Sequence, residues 1–223
     1  MERRLTAIDR AEALGYLGCP GGDAPEELRA QVEAACDLLF RTARPRALVR
    51  IFERNDRALP GTAFRLEGED IMAHLSGCHR VVVMAATLGR ETEELLLRFQ
   101  VKDLAMAVVL DACASAAIES VCNDLEEELR LGLAEEGLCL TGRYSPGYGD
   151  FPLSAQSMLC DLLDSQRRMG LTLTPSGLML PRKSVTALLG VSHTLSSRTR
   201  RGCTGCPGYD TCIIRKGGRS CVY

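Results

Sequence analysis

Apolar residues recur every three or four positions along several stretches of the chain, and this spacing predicts helices. Asp9 precedes the first such stretch and is suited to cap it, and Gly18 follows its end. The predicted helices cover residues 9–17, 24–41, 69–75, 90–100, 101–132 and 153–163.

Shorter stretches of alternating or continuous apolar residues, rich in β-branched side chains, predict strands between these helices. The three stretches that follow Gly170 indicate the closing strands of a mixed sheet. The predicted strands cover residues 46–52, 64–66, 79–86, 138–140, 171–174, 178–180 and 184–192.

The helix predicted over residues 101–132 is long, and its middle, residues 105–122, is apolar enough to be buried. Polar residues interrupt it every fourth position, which places them on one slightly slanted face. They are Asp111, Ser115, Glu119 and Asn123. Because burying a lone carboxylate is costly, Asp111 and Glu119 must face water, a partner charge or a ligand. Further along, Glu126, Glu127, Glu128 and Arg130 are expected to form a solvated end.

Composition narrows the classes of function. The 223 residues are 46% hydrophobic and 25% charged, with a net charge of −2, so bulk electrostatics give no reason to expect a nucleic-acid or membrane partner. No apolar segment follows the N-terminal arginines, and we therefore expect no signal peptide. Seven of the 11 cysteines are scattered among apolar neighbours, as buried free thiols are. This usage predicts a cytoplasmic protein.

The most unusual stretch is Arg143-Tyr144-Ser145-Pro146-Gly147-Tyr148-Gly149-Asp150-Phe151-Pro152. Its two prolines and two glycines exclude regular helix or strand and suit a tight turn. A fixed turn with one guanidinium and several aromatic rings can hold a planar ligand that carries a carboxylate. A rigid loop whose rings cover the core and whose arginine pairs with a local acid is the alternative.

The composition changes at about residue 195. From there on, six Lys or Arg residues stand against Asp210 alone, a net charge of +5. The same segment holds a C-x2-C-x5-C-x8-C pattern, formed by Cys203, Cys206, Cys212 and Cys221. Four closely spaced cysteines among glycines and charges predict a thiolate metal site, either zinc or iron–sulfur. The uneven gaps favour a 4Fe-4S cluster over a zinc ribbon, and a tail without metal is the alternative. We therefore predict two parts, residues 1–194 and a basic tail, residues 195–223.

The loop Arg143–Tyr148, followed by Phe151-Pro152, resembles the R-x-[AS]-P-G-Y…P loop of a known family. That family is the S-adenosylmethionine-binding activation domain of cobalamin-dependent methionine synthase, together with the stand-alone proteins related to it. The resemblance spans residues 5–193. It is supported by residues 81–89, by the helix from Leu110 to Glu119 and by residues 181–187.

The resemblance implies an α+β fold with a mixed, mostly antiparallel sheet and a long central helix; the small cysteine-rich tail that follows is a departure from the family. It also implies the ligand contacts. Arg143 would pair with the methionyl carboxylate of S-adenosylmethionine, and the backbone around Ser145, Pro146 and Gly147 would hold the adenine or the amino acid. Tyr148 would lie near the sulfonium, and Glu119 would take the ammonium or the ribose.

The function that the resemblance implies is reductive reactivation of a cobalamin-dependent methyltransferase. A chain of this length has no cobalamin module, so it would be an accessory subunit rather than a complete enzyme. Its partners would be a corrinoid-binding methionine synthase core and a flavodoxin or ferredoxin-type electron donor, and an iron–sulfur tail could deliver the electron. The alternative is a zinc-stabilised module that binds nucleic acid or protein. A methyltransferase for small molecules is a weaker alternative, because the usual strand-initial G-x-G loop is absent.

Overall fold

The structure is a computed structural model, and it describes residues 2–19 and 24–194. The four tail cysteines predicted as metal ligands lie outside the described residues. In chain order the elements are α1 (Arg10–Tyr16), α2 (Glu26–Thr42), β1 (Arg46–Glu53), α3 (Glu69–His74), β2 (Arg80–Thr87), α4 (Arg90–Lys102), α5 (Leu104–Glu135), β3 (Cys139–Leu140), α6 (Ala155–Leu163), α7 (Ser165–Met169), β4 (Thr172–Leu173), β5 (Met179–Leu180) and β6 (Ser184–Ser192).

Two helix ends have a clear local cause. Asp9 caps α1 as predicted, because its carboxylate accepts a hydrogen bond from the Glu12 N–H at 3.0 Å. Asp103 separates α4 from α5: its backbone is extended, and its side chain accepts from the Met106 N–H at 3.0 Å. The long helix therefore begins at Leu104 rather than at residue 101, and it continues to Glu135.

The 32-residue helix α5 is the long helix that the sequence predicts. Among the described residues it alone is long and apolar enough to cross a membrane, with a mean hydropathy of 1.7 in its most apolar window. However, 56% of that window is buried within the protein. A buried core helix has the same length and hydropathy, so these properties do not by themselves indicate a membrane partner.

The main sheet has four strands in the order β1-β2-β6-β3. Strands β3 and β6 are antiparallel, with Cys139 opposite Ser192 and Leu140 opposite Val191. The predicted fold class, an α+β fold with a mixed sheet and a long central helix, is confirmed. The described part of the chain places the main strands in this sheet and α5 as its longest helix.

Two local predictions were wrong, and one short helix was missed. Strands β4 and β5 do not close the main sheet but pair with each other, because the Thr174–Leu178 turn between them satisfies their backbone groups locally. Residues 64–66 form no strand; only Arg65 makes an isolated bridge, to Ala58. Helix α7 was not predicted, and it follows Asp164, whose left-handed backbone ends α6.

The chain divides into two compact units. The first consists of the described residues up to Ala47, with Ala86–Asp124 and Met169–Val185. The second consists of Leu48–Ala85, Leu125–Arg168 and the described residues from Thr186 on. The predicted division between residues 194 and 195 is a separate matter and stays a prediction.

The cysteines of the described residues are all free, as the sequence predicts. Those with buried side chains are Cys36, Cys78, Cys113, Cys122 and Cys160. Within residues 2–19 and 24–194, no group of three or more His, Cys, Asp or Glu side chains could hold a metal ion.

Candidate functional site

The segment after β3 continues along β6 and holds the start of the loop in place. Thr141 N–H donates to the Gly190 carbonyl at 2.9 Å, and Gly190 N–H donates to Thr141 Oγ1 at 2.8 Å. Tyr144 and Leu188 then exchange two backbone hydrogen bonds of 2.8 and 2.9 Å. Arg143 therefore lies between two residues, Thr141 and Tyr144, that are both hydrogen-bonded to β6.

The turn itself closes on its own backbone. Tyr148 N–H donates to the Ser145 carbonyl at 3.2 Å, and Phe151 N–H donates to the Tyr148 carbonyl at 3.0 Å. Gly147 and Gly149 both have positive φ angles, +91° and +53°. A Cβ at Gly149 would also collide with the side chain of Asp70 and would lie 2.5 Å from the Tyr144 hydroxyl. The turn therefore needs glycine here for space as well as for conformation.

Asp150 joins this loop to the start of α3. Its carboxylate accepts hydrogen bonds from the backbone N–H groups of Glu69, at 2.6 Å, and of Asp70, at 2.9 Å. Gly68, at the cap position of α3, offers no side chain of its own, and a Cβ there would lie 2.5 Å from the Asp150 carboxylate. The loop therefore caps a helix that precedes it by 80 residues.

These two backbone N–H groups hold the pKa of the Asp150 carboxyl below its usual range, the Glu69 N–H being the largest cause. A carboxyl whose pKa is lowered by folding stabilises the fold above its unfolded pKa. That contribution is lost as the pH falls through the folded pKa. The cap is therefore intact at neutral pH, and its contribution to stability is lost in acid, as the pH falls below the unfolded pKa and through the lower folded pKa.

We expect Asp150→Ala to lower the thermal midpoint at pH 7, because two N–H groups of α3 lose their acceptor. The difference from the wild type should narrow as the pH is lowered through the folded pKa, since protonation weakens the cap in the wild type. Thermal unfolding at a series of pH values measures both effects. The exposed Asp161, substituted by alanine, is the control for loss of a carboxylate. Equal midpoints of wild type and Asp150→Ala at pH 7 would contradict the capping role.

Arg143 forms an ion pair within the second unit. Its Nη1 lies 3.2 Å from Glu126 Oε2, and its side chain is only 11% exposed. Glu126, 17% exposed, also pairs through Oε1 with Arg130 Nη2 at 2.5 Å. Arg130 in turn donates to the Leu140 carbonyl at 3.1 Å. One carboxylate on α5 therefore lies between two guanidinium groups.

The expectation that Glu126 belongs to a solvated end of α5 was wrong. Its carboxylate is mostly buried because it compensates the charge of Arg143, which is itself buried. A signal was present in the sequence, since Glu126 follows Glu119 by seven residues and so lies on the same helix face. Glu127 and Glu128 are exposed, as expected.

The aromatic side chains of the loop differ in burial. Phe151 is 1% exposed and belongs to the core, whereas Tyr148 is 49% exposed. Tyr144 lies between them, with its ring 6.3 Å from Phe151, 6.4 Å from Tyr148 and 5.0 Å from the His74 ring. The loop thus presents the exposed ring of Tyr148 beside the half-buried rings of Tyr144 and His74 and the buried ring of Phe151.

The two candidate carboxylates of α5 lie in the first unit. Asp111 has a charged partner there: Lys183 Nζ is 3.0 Å from its Oδ1 and also donates to Ser115 Oγ at 2.8 Å. Glu119 is half-buried. The predicted loop residues Arg143, Ser145, Pro146, Gly147 and Tyr148 are brought together in the second unit, and the role of Glu119 stays a prediction.

The chain is similar to known proteins. The sequence profile of the family described as "Vitamin B12 dependent methionine synthase, activation domain" matches residues 65–198. No curated protein matches the chain significantly.

A solved structure described as "Crystal Structure of the MetH Reactivation Domain bound to AdoHcy" has a similar fold. Its TM-score is 0.68 at 20% sequence identity, and the similarity covers 88% of this chain and 78% of the other. The profile spans the loop from Arg143 to Pro152 together with α3, α5 and β6. The chain belongs to the activation domain family of vitamin B12-dependent methionine synthase.

Proposed function

We propose that this chain binds S-adenosylmethionine and serves the reductive reactivation of a cobalamin-dependent methyltransferase, a methionine synthase core, carried by a partner protein. The observation that carries the proposal is the family match over residues 65–198, which includes the whole of the loop. The similar structure is described as bound to AdoHcy, the demethylated form of the proposed ligand, and this description supports the same choice of ligand.

The proposed reaction balances without a general acid or base. The partner's oxidised corrinoid, cob(II)alamin, takes one electron from a flavodoxin or ferredoxin-type donor and becomes the cob(I)alamin nucleophile. The carbon–sulfur bond of the sulfonium then breaks, the methyl cation passes to cobalt, and sulfur keeps the electron pair as S-adenosylhomocysteine leaves. The contribution of this chain is to hold the methyl donor in position.

The loop residues suit the amino-acid head of this ligand. Arg143 offers a guanidinium fork that matches a carboxylate, and its position is fixed by the hydrogen bonds of Thr141 and Tyr144 to β6. The backbone of Ser145, Pro146 and Gly147 contacts the adenine or the amino acid. Tyr148 presents an exposed ring, and a sulfonium is favoured near an aromatic face. Glu119 is assigned to the ammonium or the ribose.

Calorimetric titration of the full chain tests the ligand. We expect S-adenosylmethionine and S-adenosylhomocysteine to bind at one site, and adenosine to bind far more weakly because it lacks the amino-acid head. A nucleic-acid oligonucleotide serves as the probe for the alternative, a binding module. Salt-sensitive oligonucleotide binding without any heat from S-adenosylmethionine would overturn the proposal.

The proposed role of the tail is to carry the electron that reduces the corrinoid. Cys203, Cys206, Cys212 and Cys221 form a four-thiolate donor set, which fits a 4Fe-4S cluster, and zinc is the other metal that such a set takes. These four thiolates would hold such a cluster, and it would supply a one-electron relay between the donor and the corrinoid. The basic residues of the same segment, with a net charge of +5, favour an acidic docking partner.

We expect Cys206→Ser to abolish reactivation with the physiological electron donor while S-adenosylmethionine still binds with wild-type affinity. Removing one of four thiolates should lose or destabilise the cluster, whereas the loop that binds the ligand lies elsewhere in the sequence. Iron and sulfide analysis of anaerobically purified protein, together with the rate of methylcobalamin formation, measures both effects. Cys139→Ser, outside the tail, is the matched control. A Cys206→Ser variant that reactivates at the wild-type rate would contradict the electron path.

A further inference from the structure

We infer that Glu126 sets the affinity of the proposed site for ligands with a carboxylate, because it is a resident carboxylate that competes with the ligand's carboxylate for Arg143. The inference rests on the proposed function, since it concerns the same arginine. In the structure Glu126 occupies one side of the Arg143 guanidinium, at 3.2 Å. The contact uses the Nη1 edge of the guanidinium, and a ligand carboxylate that pairs with the same edge replaces Glu126 there.

Glu126 has a second cationic partner, Arg130, which it contacts in addition to Arg143. Its contact with Arg130, at 2.5 Å, is the shorter of its two ion pairs. Arg130 is itself held by the Leu140 carbonyl at 3.1 Å and lies 3.6 Å from Glu127. When Arg143 turns to a ligand, Arg130 can keep the Glu126 carboxylate compensated. Glu126 therefore has a cationic partner both when Arg143 pairs with it and when Arg143 pairs with a ligand.

The charges around Arg143 explain why only ligands with a carboxylate are affected. With Glu127, which lies 3.6 Å from Arg130, the two guanidinium groups already face two carboxylates. A ligand carboxylate therefore adds a negative charge to a neutral cluster and competes with Glu126 for Arg143. Without Glu126, the unliganded protein would hold Arg143 as a mostly buried cation with weaker compensation, which is costly. Glu126 thus stabilises the unliganded state and lowers the affinity for any ligand that needs Arg143. A ligand without a carboxylate does not pair with Arg143, so we expect its affinity not to depend on Glu126.

The test compares S-adenosylmethionine with decarboxylated S-adenosylmethionine, which keeps the sulfonium, the ammonium and the adenosine. We expect Glu126→Gln to tighten S-adenosylmethionine binding at least about fivefold and to leave the decarboxylated ligand unchanged. Arg130→Met should act in the opposite direction, because Glu126 then has Arg143 as its only ion-pair partner among these three groups. Calorimetric titration of the full-length variants measures both ligands.

Glu128→Gln is the matched control, since it removes an exposed carboxylate two residues away on another side of the helix. Thermal unfolding shows that each variant is folded, and Arg130→Met provides the answer if Glu126→Gln does not fold. Unchanged or weaker S-adenosylmethionine binding by folded Glu126→Gln would overturn the inference and leave the proposed function standing. Wild-type protein that does not bind S-adenosylmethionine at all would overturn both.

Discussion

Replacing Arg143 with alanine is expected to weaken S-adenosylmethionine binding by about 30-fold or more. The guanidinium is only 11% exposed, so its hydrogen bonds to a ligand carboxylate are largely shielded from water. Loss of one partner from a charge pair of this kind costs about 2 kcal/mol or more, which corresponds to about 30-fold in the dissociation constant. Calorimetric titration measures the change directly.

Two further variants are needed. One tests whether the planar shape of the Arg143 guanidinium matters in addition to its charge, and the other tests whether the loss of any paired arginine weakens binding. Arg143→Lys keeps the charge but loses the planar fork, and we expect it to recover only part of the affinity. Arg182→Ala removes another arginine that pairs with a glutamate, Glu93, at 2.6 Å. It should bind the ligand as the wild type does. Equal affinities of Arg143→Ala and wild type would show that this arginine does not hold the ligand.

The largest effect on stability is expected from Phe151→Ala. The Phe151 ring is 1% exposed, and removing such a ring leaves a cavity. Deletion of a buried phenylalanine typically costs about 3–5 kcal/mol of unfolding free energy. For a chain of this size, we expect the thermal midpoint to fall by about 10 °C. Because Phe151 N–H closes the turn onto the Tyr148 carbonyl, the proposed ligand should also bind more weakly.

Tyr148 is the matched counterpart, since it is an aromatic residue of the same loop but is 49% exposed. Tyr148→Ala should change the unfolding free energy by less than about 1 kcal/mol, yet it should weaken S-adenosylmethionine binding, because it removes the exposed ring. Tyr148→Phe should restore most of the binding. A Phe151→Ala variant as stable as the wild type would contradict the assignment of that ring to the core.

Local signals in the sequence were sufficient for most of the helices and for the main strands. The capping of α1 by Asp9 needs only residues within one turn of the helix, and the apolar spacing of α5 is regular over many turns. The turn at residues 143–152 was also predictable, because proline and glycine restrict the backbone wherever they occur. The residues that determine each of these elements lie within a few positions of one another in the chain.

The remaining features depend on contacts between residues that are distant in sequence. The N-terminal cap of α3 comes from Asp150, which no helix-start signal near Gly68 indicates. The burial of Glu126 depends on Arg143, and composition alone makes an acidic helix end look solvated. Strands β4 and β5 have the same residue types as sheet strands, and only the short turn between them decides that they pair with each other.

We propose that this chain presents a methyl group to reduced corrinoid on a partner protein. The most direct measurement is transfer of a radiolabelled methyl group from S-adenosylmethionine to the corrinoid of a methionine synthase that lacks its own activation domain. The assay starts from cob(II)alamin and includes a low-potential reductant. We expect labelled methylcobalamin at a rate that requires this chain and falls with Arg143→Ala. Label transfer that is equally fast without the chain, or absent with it, would contradict the account.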